Sequence, residues 1–264
     1  MKIVSWNVNG IRSIYNKGFL GWLKREKPDI LCLQEIKIDE LKLPDKLRNV
    51  KGYHAFFSHA KKPGYSGVAV YTKTKPKRAE YKIGYKQFDN EGRIIRLDFE
   101  KFVLINLYLP HGGRGKEKLE YKLNAYKKLF SYIKATLRSF DSAQDRQAQR
   151  LPTILIGDFN IAHQELDLAR PKANKNNIMF TPEERSQLDK LIKMGFLDSF
   201  RLFHKDGGHY TWWPYFARAR ERNLGWRIDY VFISKKVAKK INQAFILPKA
   251  TGSDHCPVGI NIKL

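Results

Sequence analysis

Several short apolar runs in this chain stop abruptly on polar or acidic residues, and that pattern most constrains its fold. ILCLQ is followed by Glu35, TILIG by Asp158, and VLINLYLP carries Asn106 and Tyr108 within it. Runs this short, rich in Val, Ile and Leu and bounded by Gly, Pro, Asp or Asn, read as buried strands. Strands are expected at 2–7, 30–34, 67–71, 94–99, 102–109, 153–157, 228–233 and 257–262. Amphipathic segments at 18–26, 117–137 and 183–194 read as helices. The last has a start signal: Thr181 as cap, Pro182 at the first helical position and Glu184 closing a capping box. Strands mixed with helices along the whole length imply a layered α/β fold. Neither a shift in composition nor a repeat divides the chain, so 1–264 is expected to form one domain. Residues 138–150, RSFDSAQDRQAQR, lack apolar periodicity and are expected to be an exposed insertion.

Charge narrows the partner. Fifty Lys and Arg against 26 Asp and Glu leave a net charge of +24. That excess favours a polyanion, with nucleic acid first and ribosome, anionic lipid headgroups or polyphosphate behind it. A hydrophobic content of 42% is enough for a folded core. No apolar run approaches the roughly 18–20 residues of a membrane span, and MKIVSWNVNG has no continuous apolar stretch of a secretory signal. Two cysteines, Cys32 and Cys256, build no disulfide framework, so a reducing cytoplasmic compartment is expected.

The polar residues at the strand ends could carry chemistry. Alternation along the first strand puts Ser5, Asn7 and Asn9 on one face. Asp158 and Asn160, two apart, share a side if the strand continues through them. Glu35 can serve as a ligand for a hard cation such as Mg²⁺. Tyr108 and Asn106 face opposite to Val103, Ile105, Leu107 and Leu109. Asp229 lies inside the apolar strand of GWRIDYVFIS, where an acid is costly unless paired. Pairing with His255 of SDHCP would meet that cost and fix the imidazole tautomer. Each residue also has a plainer reading: a Gly-Asp-x-Asn turn, a solvated strand end at Glu35, or a core tyrosine at Tyr108. Together, Asn7, Glu35, Tyr108, Asp158, Asn160, Asp229, Asp254 and His255 suit phosphodiester hydrolysis, which needs a metal ion, hydrogen-bond donors and a base for water. No P-loop, GxGxxG, HExxH, CxxC pair or GxSxG appears, which favours activated water over a covalent nucleophile. Tyr210, Trp212, Trp213 and Tyr215, followed by Arg218, Arg220, Arg222 and Trp226, suit a surface that stacks on bases and holds phosphates.

WNVNG, LQE, NLYLP, GDFN, GWRIDY and SDH, in this order, resemble the exonuclease III-type apurinic/apyrimidinic (AP) endonucleases of the exonuclease–endonuclease–phosphatase superfamily. GDFNIAHQELDLARPK, the Asn174–Asn177 step with FTPEER, and WWPYFARARERNLGWRIDY narrow the resemblance to the DNA-repair branch. The resemblance implies a four-layer α/β sandwich of two mixed β-sheets flanked by helices. It implies Mg²⁺, with Mn²⁺ as a substitute, held by Glu35 with Asn7, Asp254, Asp158 and Asn160 around it. Asp158 would orient or deprotonate water, or protonate the leaving group. Asn160 would bind the scissile phosphate or the water, Tyr108 would hydrogen-bond the phosphate, and His255, oriented by Asp229, would contact the phosphate or act as general base. Asn174 and Asn177 would bind DNA, Trp212, Trp226 and Ile228 would line a pocket for an extrahelical abasic sugar, and Arg114 would enter the duplex. Two departures from the family pattern are His111, where animal members carry Asn, and Trp212, where Phe is commoner. The implied activity is cleavage of double-stranded DNA 5′ to abasic sites, with 3′→5′ exonuclease or cleaning of 3′-blocked ends. A monomer is expected, without membrane association and, in a prokaryote, close to the nucleoid. A basic non-catalytic nucleic-acid-binding protein and a lipid or inositol phosphatase are the alternatives.

Overall fold

A computed structural model describes residues 1–113, 116–138 and 151–264. Among them, in chain order, run the strands β1 (Lys2–Asn7), β2 (Ile30–Gln34), β3 (His54–Ser58), β4 (Val68–Thr72), β5 (Arg78–Glu80), β6 (Ile94–Asp98), β7 (Val103–Tyr108), β8 (Thr153–Asp158), β9 (Phe196–Asp198), β10 (Asp229–Ser234), β11 (Ile241–Ile246) and β12 (Val258–Ile262). The helices are α1 (Ile11–Asn16), α2 (Phe19–Glu26), α3 (Asp45–Arg48), α4 (Lys86–Asn90), α5 (Lys116–Arg138), α6 (Pro182–Lys193) and α7 (Ser199–Phe203). One sheet has the order β11-β12-β1-β2-β4-β3 and the other β5-β6-β7-β8-β10-β9. Both are mixed, because β1–β2 and β7–β8 are parallel and the other pairs antiparallel.

Alternation of side chains builds three apolar layers from these two sheets. Ile3, Ile30, Cys32, Leu104, Ile154, Ile156, Val231 and Ile233 point between the sheets. Their neighbours Val4, Trp6, Leu31 and Leu33 point outward onto α1 and α2. On the other side Val103, Ile105, Leu107, Leu155 and Phe232 pack on Tyr126, Leu129 and Ile133 of α5 and Leu188 and Leu191 of α6. The result is helix, sheet, sheet, helix. The capping box of α6 forms as its sequence implies, Thr181 Oγ1 accepting from the Glu184 amide and Glu184 accepting from that of Thr181.

The same parity sends Ser5, Asn7, Gln34, Asn106, Tyr108, Asp158 and Asp229 toward the space between the sheets. Polar groups there must pair with one another. Gln34 Nε2 donates to Asn106 Oδ1 across the sheets (2.7 Å) and to Ser5 Oγ (2.9 Å). Asn106 Nδ2 donates to the carbonyls of Leu33 (3.1 Å) and Ala69 (2.9 Å) in the opposite sheet. These bonds fix how the sheets are set against each other.

The four strands absent from the sequence reading, β3, β5, β9 and β11, are the four sheet edges. An edge strand is incompletely covered, so it needs no continuous apolar run. β5 reads RAE and β11 reads INQAFI with Asn242 and Gln243 exposed. The unforeseen helices α1, α3, α4 and α7 span four to six residues, too short for a periodic stripe. The expected insertion lies outside the described residues, apart from Arg138, which ends α5. Among the described residues no helix is long and apolar enough to cross a membrane.

Asn106→Ala should destabilise the fold by roughly 2–4 kcal/mol, since the Gln34 amide loses its acceptor inside a dry layer. Urea denaturation checks this; a loss below about 1 kcal/mol would show that the cross-sheet amides do not set the sheets.

Candidate active site

The carboxyl ends of the parallel pairs β1–β2 and β7–β8 face each other across the sandwich. Tyr108, Asp158 and Asp229 are register partners on three adjacent strands, Tyr108 opposite Asp158 and Asp158 opposite Asp229. They form a row across the end of one sheet. Asn7 and Glu35 come from the ends of β1 and β2 in the other. Asn7 Nδ2 spans the gap, donating to Glu35 Oε1 and to Asp158 Oδ2, both at 2.9 Å. It therefore presents nitrogen, not oxygen, to the two carboxylates, while its Oδ1 accepts from the Asn9 amide (3.0 Å).

Strand geometry ends at this line. Asn9, Glu35, Lys37 and Asn160 all have positive φ, between 45° and 52°. Non-glycine residues there store on the order of 1 kcal/mol or more each, and such strain gathers at functional sites. Asn9 and Asn160 are thus not placed by continued alternation, as their spacing suggested. Asn160 instead turns back, its amide donating to Asp158 Oδ1 (2.8 Å) and its Nδ2 to the Leu109 carbonyl (2.8 Å). Lys122, fully buried on α5, clamps that turn by donating to the carbonyls of Asn160 (2.7 Å) and His111 (3.0 Å) while paired with Glu184.

The histidine–carboxylate pair is present. His255 Nδ1 donates to Asp229 Oδ2 at 2.8 Å, and Thr211 Oγ1 donates to the same oxygen at 2.6 Å. Nε2 is thereby left facing Asp158 Oδ2 at 3.9 Å. Burial disfavours the imidazolium, but Asp229 outweighs it and His255 is pushed up to about 10. Burial, then the charge of Asp229, pushes Asp158 up to about 8. Glu35 goes the other way: burial raises it, but Lys37 at 2.7 Å and the Asn7 hydrogen bond hold it below the usual carboxylate range. Tyr108, buried and beside Glu35, titrates well above an ordinary phenol. Arg93 lies over its ring at 4.5 Å and donates to its carbonyl.

Ligand atoms of Glu35, Asp158 and His255 lie within 4.8 Å of one another. In a chain carrying +24, this crowd of buried carboxylates is what a cation would relieve, since burial first and the charge of Asp229 second raise Asp158. Glu35 and Asp158 fit a hard cation. Asp229 raises the proton affinity of His255, which disfavours the imidazole as a ligand. Asp254 is not in this group, because its oxygens accept from Asn9 Nδ2 (2.9 Å) and Trp212 Nε1 (3.0 Å).

An apolar cluster adjoins His255. Trp212 forms bridges with both His255 and Trp226. Both tryptophans pack on Leu168, Met179, Phe180 and Ile228. Ile228 is only 1% exposed, whereas the tryptophans are half-buried. Arg227, between Trp226 and Ile228, turns inward to Asp167 (2.8 Å) and Asp198 (2.8 Å) and anchors the segment. Asn174 and Asn177 lie in the segment before Met179 and Phe180, Asn177 Nδ2 donating to Asn174 Oδ1 (3.1 Å). Tyr210 and Trp213 are buried, but Tyr215 and Phe216 are 74% and 73% exposed. Arg114 lies outside the described residues. Sequence reasoning did not find Lys37, Thr211, Arg93 or Lys122. Lys37, two residues after Glu35, is the only one with a local signal.

Residues 4–255 match the model of the Endonuclease/Exonuclease/phosphatase family. The chain is 43% identical to the exodeoxyribonuclease of Bacillus subtilis, covering 100% of both. It is 42% identical to the DNA repair nuclease APEX1 of Danio rerio, over 98% of this chain and 81% of that protein. The solved structure of an AP endonuclease from Archaeoglobus fulgidus matches with a TM-score of 0.87 at 31% identity over 100% of both chains.

Both perturbed groups make the metal-free protein less stable as pH rises. The folded state retains a proton on Asp158 between its unfolded value, 3.8, and about 8, and on His255 between 6.5 and about 10. That stabilisation is complete below the unfolded value and is lost as pH passes the folded one. In EDTA, unfolding free energy should fall from pH 6 to pH 9. Asp158→Asn should flatten the fall and exceed the wild type at pH 8 by about 1 kcal/mol or more. Parallel denaturation curves across this range would contradict the assignment.

Proposed function

The chain belongs to the endonuclease/exonuclease/phosphatase family, and from that premise we propose that it is a DNA-repair phosphodiesterase cutting duplex DNA 5′ to abasic sites and trimming blocked 3′ ends. The observation that carries this reading is the apolar cluster of Trp212, Trp226 and Ile228, whose Trp212 adjoins His255 of the carboxylate centre. A flipped abasic sugar has little to hydrogen-bond, and an apolar surface beside the carboxylates would receive it where a polar one would not. The net charge of +24 suits a polyanionic duplex better than a small phosphate ester. The exposed Tyr215 and Phe216, with Asn174 and Asn177 and the expected Arg114, would meet the DNA around this cluster.

Glu35 and Asp158 would hold a Mg²⁺ ion, for which Mn²⁺ would substitute, supplying positive charge against the phosphoryl oxygens. Asn7 and Asp254 would orient this group from beside it. Asp158, which a cation beside it would hold ionised, accepts the proton of the attacking water as the new P–O bond forms, and the bond from phosphorus to the leaving 3′ oxygen breaks, that oxygen taking a proton from solvent. His255, held protonated and aligned by Asp229 and Thr211, donates from Nε2 to a phosphoryl oxygen as charge accumulates there. Tyr108, a phenol that stays protonated, donates to the same phosphate, and Asn160 offers its remaining N–H. Action on chromosomal DNA would place the protein in the cytoplasm, acting as a monomer.

The test is a labelled duplex with one abasic analogue beside an undamaged duplex, with Mg²⁺ and with EDTA. One Mg²⁺-dependent cut 5′ to the lesion is expected. Asp158→Asn should reduce turnover by about 10³-fold or more, and Asp229→Asn by about 10²–10⁴-fold, through loss of the aligned imidazolium. No cut by the wild type, with phosphate released from a soluble inositol phosphate, would move the chain to the phosphatase branch.

Binding should weaken steeply with salt, by about 10³-fold or more between 50 and 200 mM if six or more phosphates are contacted. A filter-binding series with the damaged duplex in EDTA would show a shallow slope if the basic surface does not engage the backbone.

A further inference from the structure

A second group of ligating side chains lies on the segment that follows α7, remote in sequence from the carboxylate centre. One ring nitrogen each of His204 and His209 and a carboxylate oxygen of Asp206 lie within 4.8 Å of one another. We propose that these three residues form a binding site for a divalent transition-metal cation of the Zn²⁺ class, separate from the hydrolytic centre.

The donor set decides the class of ion. Two imidazoles and one carboxylate suit Zn²⁺ or Co²⁺, whereas Mg²⁺ asks for oxygen ligands. The spacing His-x-Asp-x-x-His puts all three donors on six residues. Gly208, at φ +83°, allows the turn that brings His209 back toward His204.

The rings are held before any ion arrives. Phe200 of α7 stacks on His204 at 4.3 Å and 18° and meets His209 edge-on at 5.3 Å and 68°. His204 Nε2 lies 3.1 Å from the carbonyl of Ala244 on β11. Donating to that carbonyl places the proton on Nε2 and leaves Nδ1 with its lone pair, as metal-binding histidines require of their second nitrogen. The backbone is pinned as well: one guanidinium nitrogen of Arg201 donates to the carbonyls of His204 (3.1 Å) and Asp206 (2.6 Å). A simple surface hydrogen bond, His209 Nε2 to Asp206 Oδ2 at 3.1 Å, accounts for two of the three residues. It does not account for His204, a ring nitrogen of which lies in the same group.

There is room to complete the coordination. A cavity of about 490 Å³, lined in part by His204, His209, Tyr210, Trp213 and Arg220, adjoins the two rings. Water or a small anion could enter there as fourth ligand. An ion at this point would tie α7 to the start of the segment Tyr210–Trp213, whose Thr211 donates to Asp229. Its role is therefore to brace the support of His255, not to take part in hydrolysis.

The test titrates Zn²⁺ and Co²⁺ by equilibrium dialysis into the full chain after chelation. Three forms are compared: the wild type, a Glu35→Gln/Asp158→Asn variant and a His204→Ala/His209→Ala variant. The carboxylate variant should retain one bound equivalent, with the visible absorption of cobalt bound to nitrogen. The histidine variant should bind one fewer than the wild type. Asp206→Asn, at an exposed position that leaves the fold intact, should weaken Zn²⁺ binding about tenfold or more. Zn²⁺ should also raise the melting temperature of the carboxylate variant by a few degrees, roughly 2–4 °C, and not that of the histidine variant. The proposal is overturned if the carboxylate variant binds no Zn²⁺, or if the histidine variant keeps the wild-type stoichiometry.

Discussion

A single side-chain amide joins the two halves of this molecule where its chemistry is done. Asn7, at the end of one sheet, gives both protons of its amide to carboxylates, one in its own sheet and one in the other. Everything catalytic depends on that bridge being held at the right separation. The means of holding it lie deeper, where Gln34 and Asn106 bond across the same gap amid Ile, Leu and Val side chains. A buried amide pair is costly unless fully satisfied, so it tolerates one setting of the sheets and penalises others. The apolar layer supplies most of the cohesion, and the amides supply the register.

The electrostatic design opposes the global charge to the local one. The surface is strongly basic, yet the centre collects Glu35, Asp158, Asp229 and Asp254 against Lys37 and His255. On the proposed function, the basic exterior would draw in a polyanion and the acidic centre would hold the cation that tolerates it. Within the centre, neighbours separate carboxylates that are alike in sequence. Lys37 keeps Glu35 ionised, whereas Asp158, crowded by Asp229 in a buried row, is drawn toward neutrality. Two carboxylates with divergent proton affinities would let the site hold a cation between them and move a proton with only one.

The apolar cluster beside His255 rests on its own buried scaffold. Arg227 turns away from the tryptophans into Asp167 and Asp198, and its guanidinium lies 4.5 Å over the Tyr230 ring. The residues on either side, Trp226 and Ile228, are thereby fixed in the apolar cluster. Thr211 performs the matching service for Asp229. On the proposed function, rigid backing of this kind would let the apolar surface discriminate by shape rather than close around whatever meets it.

The sequence by itself determined the strands buried on both faces, the parity of their side chains and the inventory of acids, amides, tyrosine and histidine at their ends. Periodicity and strand-end chemistry are local, and a continuous apolar run can be read without knowing its neighbours. It also made the Asp229–His255 pair legible, because an acid inside an apolar strand demands a partner. Only the tertiary structure decided which ends would meet. Asn7 and Asp158 stand 151 positions apart, and nothing local to either states that their sheets face each other. The edge strands escaped for a related reason: half-covered, they are specified by the strand beside them. Asn9 and Asn160 left their strands through positive φ, a choice made by the hydrogen bonds waiting at the turn. Lys37, Thr211 and Lys122 became part of the site because the fold carried them there, and contacts between distant segments are set by packing of whole layers, not by the residues that profit from them.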